Sequence, residues 1–111
     1  MVKLVEFLVR DDEYSHEEFV EHWQGEHAEL ASELPGLERY STSVPGNPTE
    51  VEYDGVLELT FENSQALNEA FKSEVGQEVQ EDAAEFTIPG KGPRLVVGET
   101  VHVSDSGQNN G

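Results

Sequence analysis

One histidine of the four sits where chemistry could use it. His27 follows Trp23 by about one helical turn and falls within the apolar stripe of Phe19, Val20, Trp23, Leu30, Ala31 and Leu34. An imidazole among core residues must be hydrogen-bonded or must do something, and it titrates near neutrality. His27 is therefore the candidate catalytic residue, a proton carrier. Tyr40, Glu6, Glu58 and Trp23 are the candidate substrate-binding groups, and His102 is a further pocket candidate. Glu6 and Glu58 stand on strands that would be neighbours. If both faced one closed cavity, their repulsion would raise one pKa and supply an acid. Each has a plain structural reading too. His27 could bond a backbone carbonyl, Trp23 could be simple core, and Tyr40 could be core or interface with its hydroxyl satisfied locally. Glu6 could be a partly wetted or salt-bridged carboxylate, and His102 a surface residue.

Other chemistries lack their residues. The chain contains no G-x-G-x-x-G, no P-loop, no H-E-x-x-H and no G-x-S-x-G. His22 and His27 are five apart, about 140° around an α-helix, so they should not share a metal. Neither a metal site nor a cofactor is expected. Asp11-Asp12-Glu13 reads as a solvated acidic turn.

The positioning elements follow from the local pattern. Ser15 with Glu18 is a capping box that opens a helix, and Pro35-Gly36 after Leu34 closes it. Residues 2–10 form strand one, apolar on both faces, with Glu6 on the Leu4/Leu8 face. Leu37 to Val44 form strand two, with Tyr40 near its centre. Gly55 to Glu62 form strand three, with Leu57, Leu59 and Phe61 on one side. Asn63 or Ser64 caps the next helix, whose buried side is Leu67, Ala70, Phe71 and Val75. Gly76 interrupts it, and a further helical stretch turns Val79, Ala83 and Phe86 inward. Arg94 to Val103 form strand four, and 104–111 form a frayed tail. The order is β-α-β-β-α-β, an α+β split βαβ arrangement of ferredoxin-like type with an antiparallel sheet.

Composition narrows the class. The chain has 111 residues, enough for one domain with a small core, and no cysteine. No window suits a membrane span, and the N-terminus lacks a signal-peptide pattern, so a cytoplasmic protein is expected. The formal net charge is -18, which would repel nucleic-acid backbones and anionic lipid surfaces. Neither nucleic acid nor membrane is an expected partner. The apolar residues are grouped and periodic, so the acidity reads as a coat on a folded protein from a salt-filled, halophilic cytoplasm. In molar salt the screening length is about 3 Å and self-repulsion is largely removed.

One sheet face is left over. If helices cover Val5, Phe7 and Val9 together with Leu57, Leu59 and Phe61, the opposite face still carries Leu4, Leu8, Val56 and Val96. A second copy related by a two-fold axis is the simplest cover, although a loop could serve. The pocket is then expected between the first helix and that uncovered face.

Phe19-x-x-x-Trp23-x-x-x-His27 followed by Leu34-Pro35-Gly36-Leu37-Glu38-Arg39-Tyr40 resembles the EthD-like family. Asp82-Ala83-Ala84-Glu85-Phe86 is similar to that family's later helix ending in an aromatic. The resemblance covers residues 2–103 and implies one dimeric α+β barrel domain over 1–103. It further implies a homodimer around an enclosed cavity. EthD-like proteins are associated with breakdown of ethers and other small organic compounds, often described as oxidoreductase-linked. Related barrels include cofactor-free monooxygenases, lactone isomerases, polyketide cyclases and haem-degrading enzymes.

The leading reading is a homodimeric barrel that binds a small, mostly apolar organic molecule. It would act by cofactor-free acid/base or oxidoreductase-type chemistry. A non-enzymatic ligand-binding or accessory module is the alternative, and a haem or flavin protein is a third.

Overall fold

A computed structural model describes residues 1–103; the tail expected at 104–111 lies outside the described residues. Strands β1 (Val2–Leu8), β2 (Arg39–Ser43), β3 (Gly55–Phe61) and β4 (Arg94–Gly98) form one antiparallel sheet in the order β2-β3-β1-β4. Its helices are α1 (His16–His22), α2 (Ala28–Ala31), α3 (Ser64–Lys72) and α4 (Glu74–Phe86). A π-helical turn, Trp23–His27, joins α1 to α2. This is the ferredoxin-like α+β architecture that the residue pattern predicts.

The helix ends are chemically specified. Ser15 accepts from the Glu18 amide while the Glu18 carboxylate accepts from the Ser15 amide, so the expected capping box is present. A cap of this kind stabilises a helix by about 1 kcal/mol. Asn63 caps α3 by accepting from the Ala66 amide. The break between α3 and α4 lies at Ser73, whose hydroxyl caps α4. Gly76 therefore sits inside the first turn of α4. A Cβ there would come within 2.2 Å of the Ala70 carbonyl oxygen, so glycine permits the tight α3–α4 corner. At the far end of the first helical segment, Gly36 takes the left-handed backbone with φ of 77°.

The register corrects one assignment of faces. Leu4 pairs with Leu59, and Glu6 with Leu57, so Leu4, Glu6 and Leu8 share the helix-covered face with Leu57, Leu59 and Phe61. Val5 and Phe7 lie on the open face with Val56, Leu95 and Val97. Both faces of β1 are apolar, so its own alternation could not tell which one meets the helices. β3 decides it through the pairing, because strands side by side must present the same face together. Val96 pairs with Leu4 and so belongs to the helix side, not to the open face. β4 also ends at Gly98, short of the expected Val103.

The core has two lobes. Leu4, Ala31, Leu34, Leu59, Phe61, Leu67, Ala70 and Val79 make one. Leu8, Phe19, Trp23 and Phe86 make the other. The space between the lobes, beneath the sheet, is where the site lies.

Candidate functional site

A cavity of about 250 Å³ opens between the helices and the covered face of the sheet. It does not lie on the open face, because the strand pairing turns Glu6 and Tyr40 toward the helices. Its floor is Leu4, Glu6 and Leu8 of β1 with Leu57 and Leu59 of β3. Tyr40 enters from β2, His27 from the π turn, Phe71 from α3 and Phe86 from α4, while Arg94 of β4 stands at the rim. The lining is mostly hydrocarbon with few polar atoms, which suits a small organic ligand.

His27 is 5% exposed, and its Nδ1 lies 2.7 Å from Oδ2 of Asp82. Asp82 projects from α4 one turn before Phe86. A carboxylate so placed accepts a proton-bearing Nδ1, which leaves Nε2 as the lone-pair nitrogen of the neutral ring. Among the described residues Nε2 has no hydrogen-bond partner, and it is not one of the sealed, unsatisfied polar atoms. Burial pulls the His27 pKa below its ordinary value, with Asp82 opposing the change. The ring is thus neutral near pH 7, its Nε2 is unpartnered among the described residues, and His27 lines the cavity.

The π turn brings a second histidine to the same carboxylate. His22 Nε2 lies 3.0 Å from Asp82 Oδ2 and 3.2 Å from Oδ1. The expectation that residues five apart diverge holds for a regular α-helix. It fails here because a π turn stacks residues i and i+5 on one face. The sequence reading therefore missed both the convergence and Asp82. The available signal was Asp82 itself, four residues before an inward aromatic on the same helix face. No group of three or more potential ligands that could hold a metal ion occurs among the described residues.

Glu6 and Tyr40 face the cavity as free polar groups, with no side-chain hydrogen bond among the described residues. Burial pushes the Glu6 carboxyl up, partly offset by the Arg94 charge across the strand pair. Burial alone pushes the Tyr40 phenol up to about 12, so it stays a donor at any ordinary pH.

The structure does not bring the remaining candidates to this place. Glu58 pairs with Val5 and so faces the open side of the sheet, away from Glu6. Its carboxylate accepts from Lys3 Nζ at 2.7 Å, and Glu99 binds the same ammonium. No carboxylate pair forms with Glu6, because residues one step apart across a pleat point oppositely. Trp23 is fully buried beside Phe19, with ring centroids 5.3 Å apart, and does not line the cavity. His102 is exposed beyond the end of β4.

Comparison with known proteins agrees with this architecture. An EthD family protein of Bacillus halodurans C-125 superposes with a TM-score of 0.75 at 27% identity, covering 90% of this chain and 99% of that one. HapK of Hahella chejuensis gives 0.73 at 12% identity, over 94% and 96% of the two chains. SnoaB of Streptomyces nogalater, a cofactor-independent oxygenase, gives 0.69 at 11% identity, over 92% and 95%. The latter two likenesses establish fold alone. No curated protein sequence matches the chain. Residues 11–90, most of the described length, match the EthD domain, and the chain belongs to the EthD family.

Proposed function

We propose that this EthD protein is a homodimer that binds a small, mostly apolar organic molecule in the cavity and removes a proton from it. His27 Nε2 is the base. Asp82 fixes the ring by accepting from Nδ1, Tyr40 donates a hydrogen bond to an oxygen of the ligand, and Glu6 orients it. The carrying observation is a buried His27 that lines a mostly apolar cavity, with one ring nitrogen held at 2.7 Å by a carboxylate and the other unpartnered among the described residues. A mostly hydrocarbon lining strengthens such polar contacts by keeping water partly away. That SnoaB, of the same fold, is a cofactor-independent oxygenase supports chemistry without an added organic cofactor.

Dimerisation is supported by the open sheet face, where Val5, Phe7, Val56 and Leu95 lie together and Leu95 is 59% exposed. The acidic coat supports a cytoplasmic setting rich in salt. Among the described residues no helix is long and apolar enough to cross a membrane.

A neutral enolisable ketone, 1-indanone, tests the proton transfer. Exchange of its α-hydrogens for deuterium in buffered deuterium oxide is followed by proton NMR. The wild type should accelerate exchange, and His27→Ala and His27→Gln should lose about 100-fold of that acceleration while keeping a folded dimer. Absence of any acceleration by the wild type, or its persistence in both variants, would overturn the proposal.

A further inference from the structure

His22 lies outside the cavity, yet it is tied to the cavity base. Its Nε2 meets both oxygens of Asp82, and Asp82 Oδ2 also meets His27 Nδ1. Both imidazoles stand edge-on to the Phe86 ring, with centroids at 4.7 Å for His22 and 5.0 Å for His27. Phe86 and Asp82 are successive turns of α4, so the two histidines of the π turn grip α4 at one place. A regular α-helix would carry His22 away from His27 and leave Asp82 with a single imidazole. A π turn has poorer backbone geometry than an α turn and often marks a functional position.

We infer that His22 is a positioning residue: it clamps the Asp82 carboxylate from outside so that His27 keeps its proton on Nδ1 and presents Nε2 bare to the cavity. This rests on the proposed role of His27 and extends it to a residue that never touches the ligand. The physical need is clear from exposure. The Asp82 side chain is 26% exposed, so a free rotation would turn it to water and release His27 Nδ1. His22, with its side chain 25% exposed, faces an outer recess that also holds Glu18, Glu21 and Glu26. From there it supplies a second hydrogen bond that holds both carboxylate oxygens inward. The pair of imidazoles around one carboxylate therefore sets a tautomer, which a ring packed only for volume would not do.

Nitrogen-15 NMR of the histidine side chains reads this directly, because protonated and lone-pair ring nitrogens resonate far apart. Wild-type His27 should show one tautomer, with hydrogen on Nδ1. His22→Phe keeps the ring packing on Phe86 but removes the clamp, and should give a mixture of the two tautomers. His22→Gln can still donate to Asp82 and should restore the single tautomer. Asp82→Ala serves as the reference that removes the acceptor of Nδ1 outright. If Asp82→Ala shifts the tautomer and His22→Phe does not, the positioning role of His22 is wrong while the base assignment stands. If neither variant shifts it, the orientation of His27 by Asp82 fails as well. Should His22→Phe not fold, His22→Leu replaces it in the same measurement.

Discussion

Asp82 and His27 meet at 2.7 Å between α4 and the π turn, and the histidine of that pair is held neutral by burial. Its folded pKa lies below the unfolded value of about 6.5. The unfolded chain therefore binds more protons in the window between the two values. Stability from this group is complete above about pH 6.5 and is lost as pH falls through the depressed folded value. Thermal melts at successive pH values should show the wild type losing stability below pH 6.5 more steeply than His27→Gln. Parallel profiles would mean that His27 is not buried neutral.

Glu6 carries the opposite sign. Burial raises its folded pKa, so its contribution is full below the unfolded value of about 4.3 and is lost as pH rises through the raised one. At pH 7 burial therefore makes the Glu6 carboxyl a net cost, which Arg94 only partly offsets. Glu6→Gln should therefore melt higher than the wild type at pH 7 and equal to it at pH 4. A lower melting point at pH 7 would show that the carboxylate is paired and favourable.

Much of the fold was legible because it rests on local rules. The Ser15–Glu18 box, the Asn63 cap and the alternation of Leu57, Leu59 and Phe61 are each written in fewer than ten residues. The side of β1 that meets the helices was not legible, since Leu4/Leu8 and Val5/Phe7 are equally apolar and only pairing with β3 distinguishes them. His27, Tyr40 and Glu6 were legible as candidates because polar groups in apolar rows stand out. Asp82 and His22 were not. His22 and His27 converge on Asp82 through a π turn, and a spacing argument at about 100° per residue sends the two histidines apart. Glu58 looked equivalent to Glu6 in sequence, and its partner Lys3 lies 55 residues away.

Gly55 and Trp23 give a steric test of the second core lobe. A Cβ on Gly55 would come within 2.4 Å of the Trp23 ring, which is fully buried and has no room to retreat. Overpacking of this kind costs about 1–3 kcal/mol. Gly55→Ala should lower the urea midpoint accordingly, with an unchanged slope. Gly46, where an added Cβ meets nothing within 4 Å, is the control, and Gly46→Ala should leave the midpoint within experimental error.

The charge of -18 predicts a strong response to salt. Repulsion among carboxylates destabilises the compact state, and its range shrinks from about 30 Å at 0.01 M to about 3 Å at 1 M ionic strength. The melting temperature should rise steadily with potassium chloride up to molar concentrations. Replacing six exposed glutamates of α1, α3 and α4 by glutamine should flatten that rise. A melting temperature independent of salt would remove the reading of the coat as salt adaptation.

Leu95 and Val5 are directly paired across β4 and β1 on the open face. Phe7 and Val56, also paired, lie beside them, so partly exposed apolar side chains cluster on this face around Leu95, which is 59% exposed. Lys3 lies on the same face, neutralising one of the two carboxylates, Glu58 and Glu99, that it binds, so that a partner could cover them at lower cost. In the proposed two-fold dimer the substitution Leu95→Asp places a charge twice in one interface. Light scattering in concentrated potassium chloride should give the mass of two chains for the wild type and of one for Leu95→Asp, with circular dichroism unchanged. Because the cavity lies on the other side of the sheet, the monomeric variant should retain the Nδ1-protonated tautomer of His27. A wild type that scatters as a single chain would end the homodimer proposal and leave the histidine site standing.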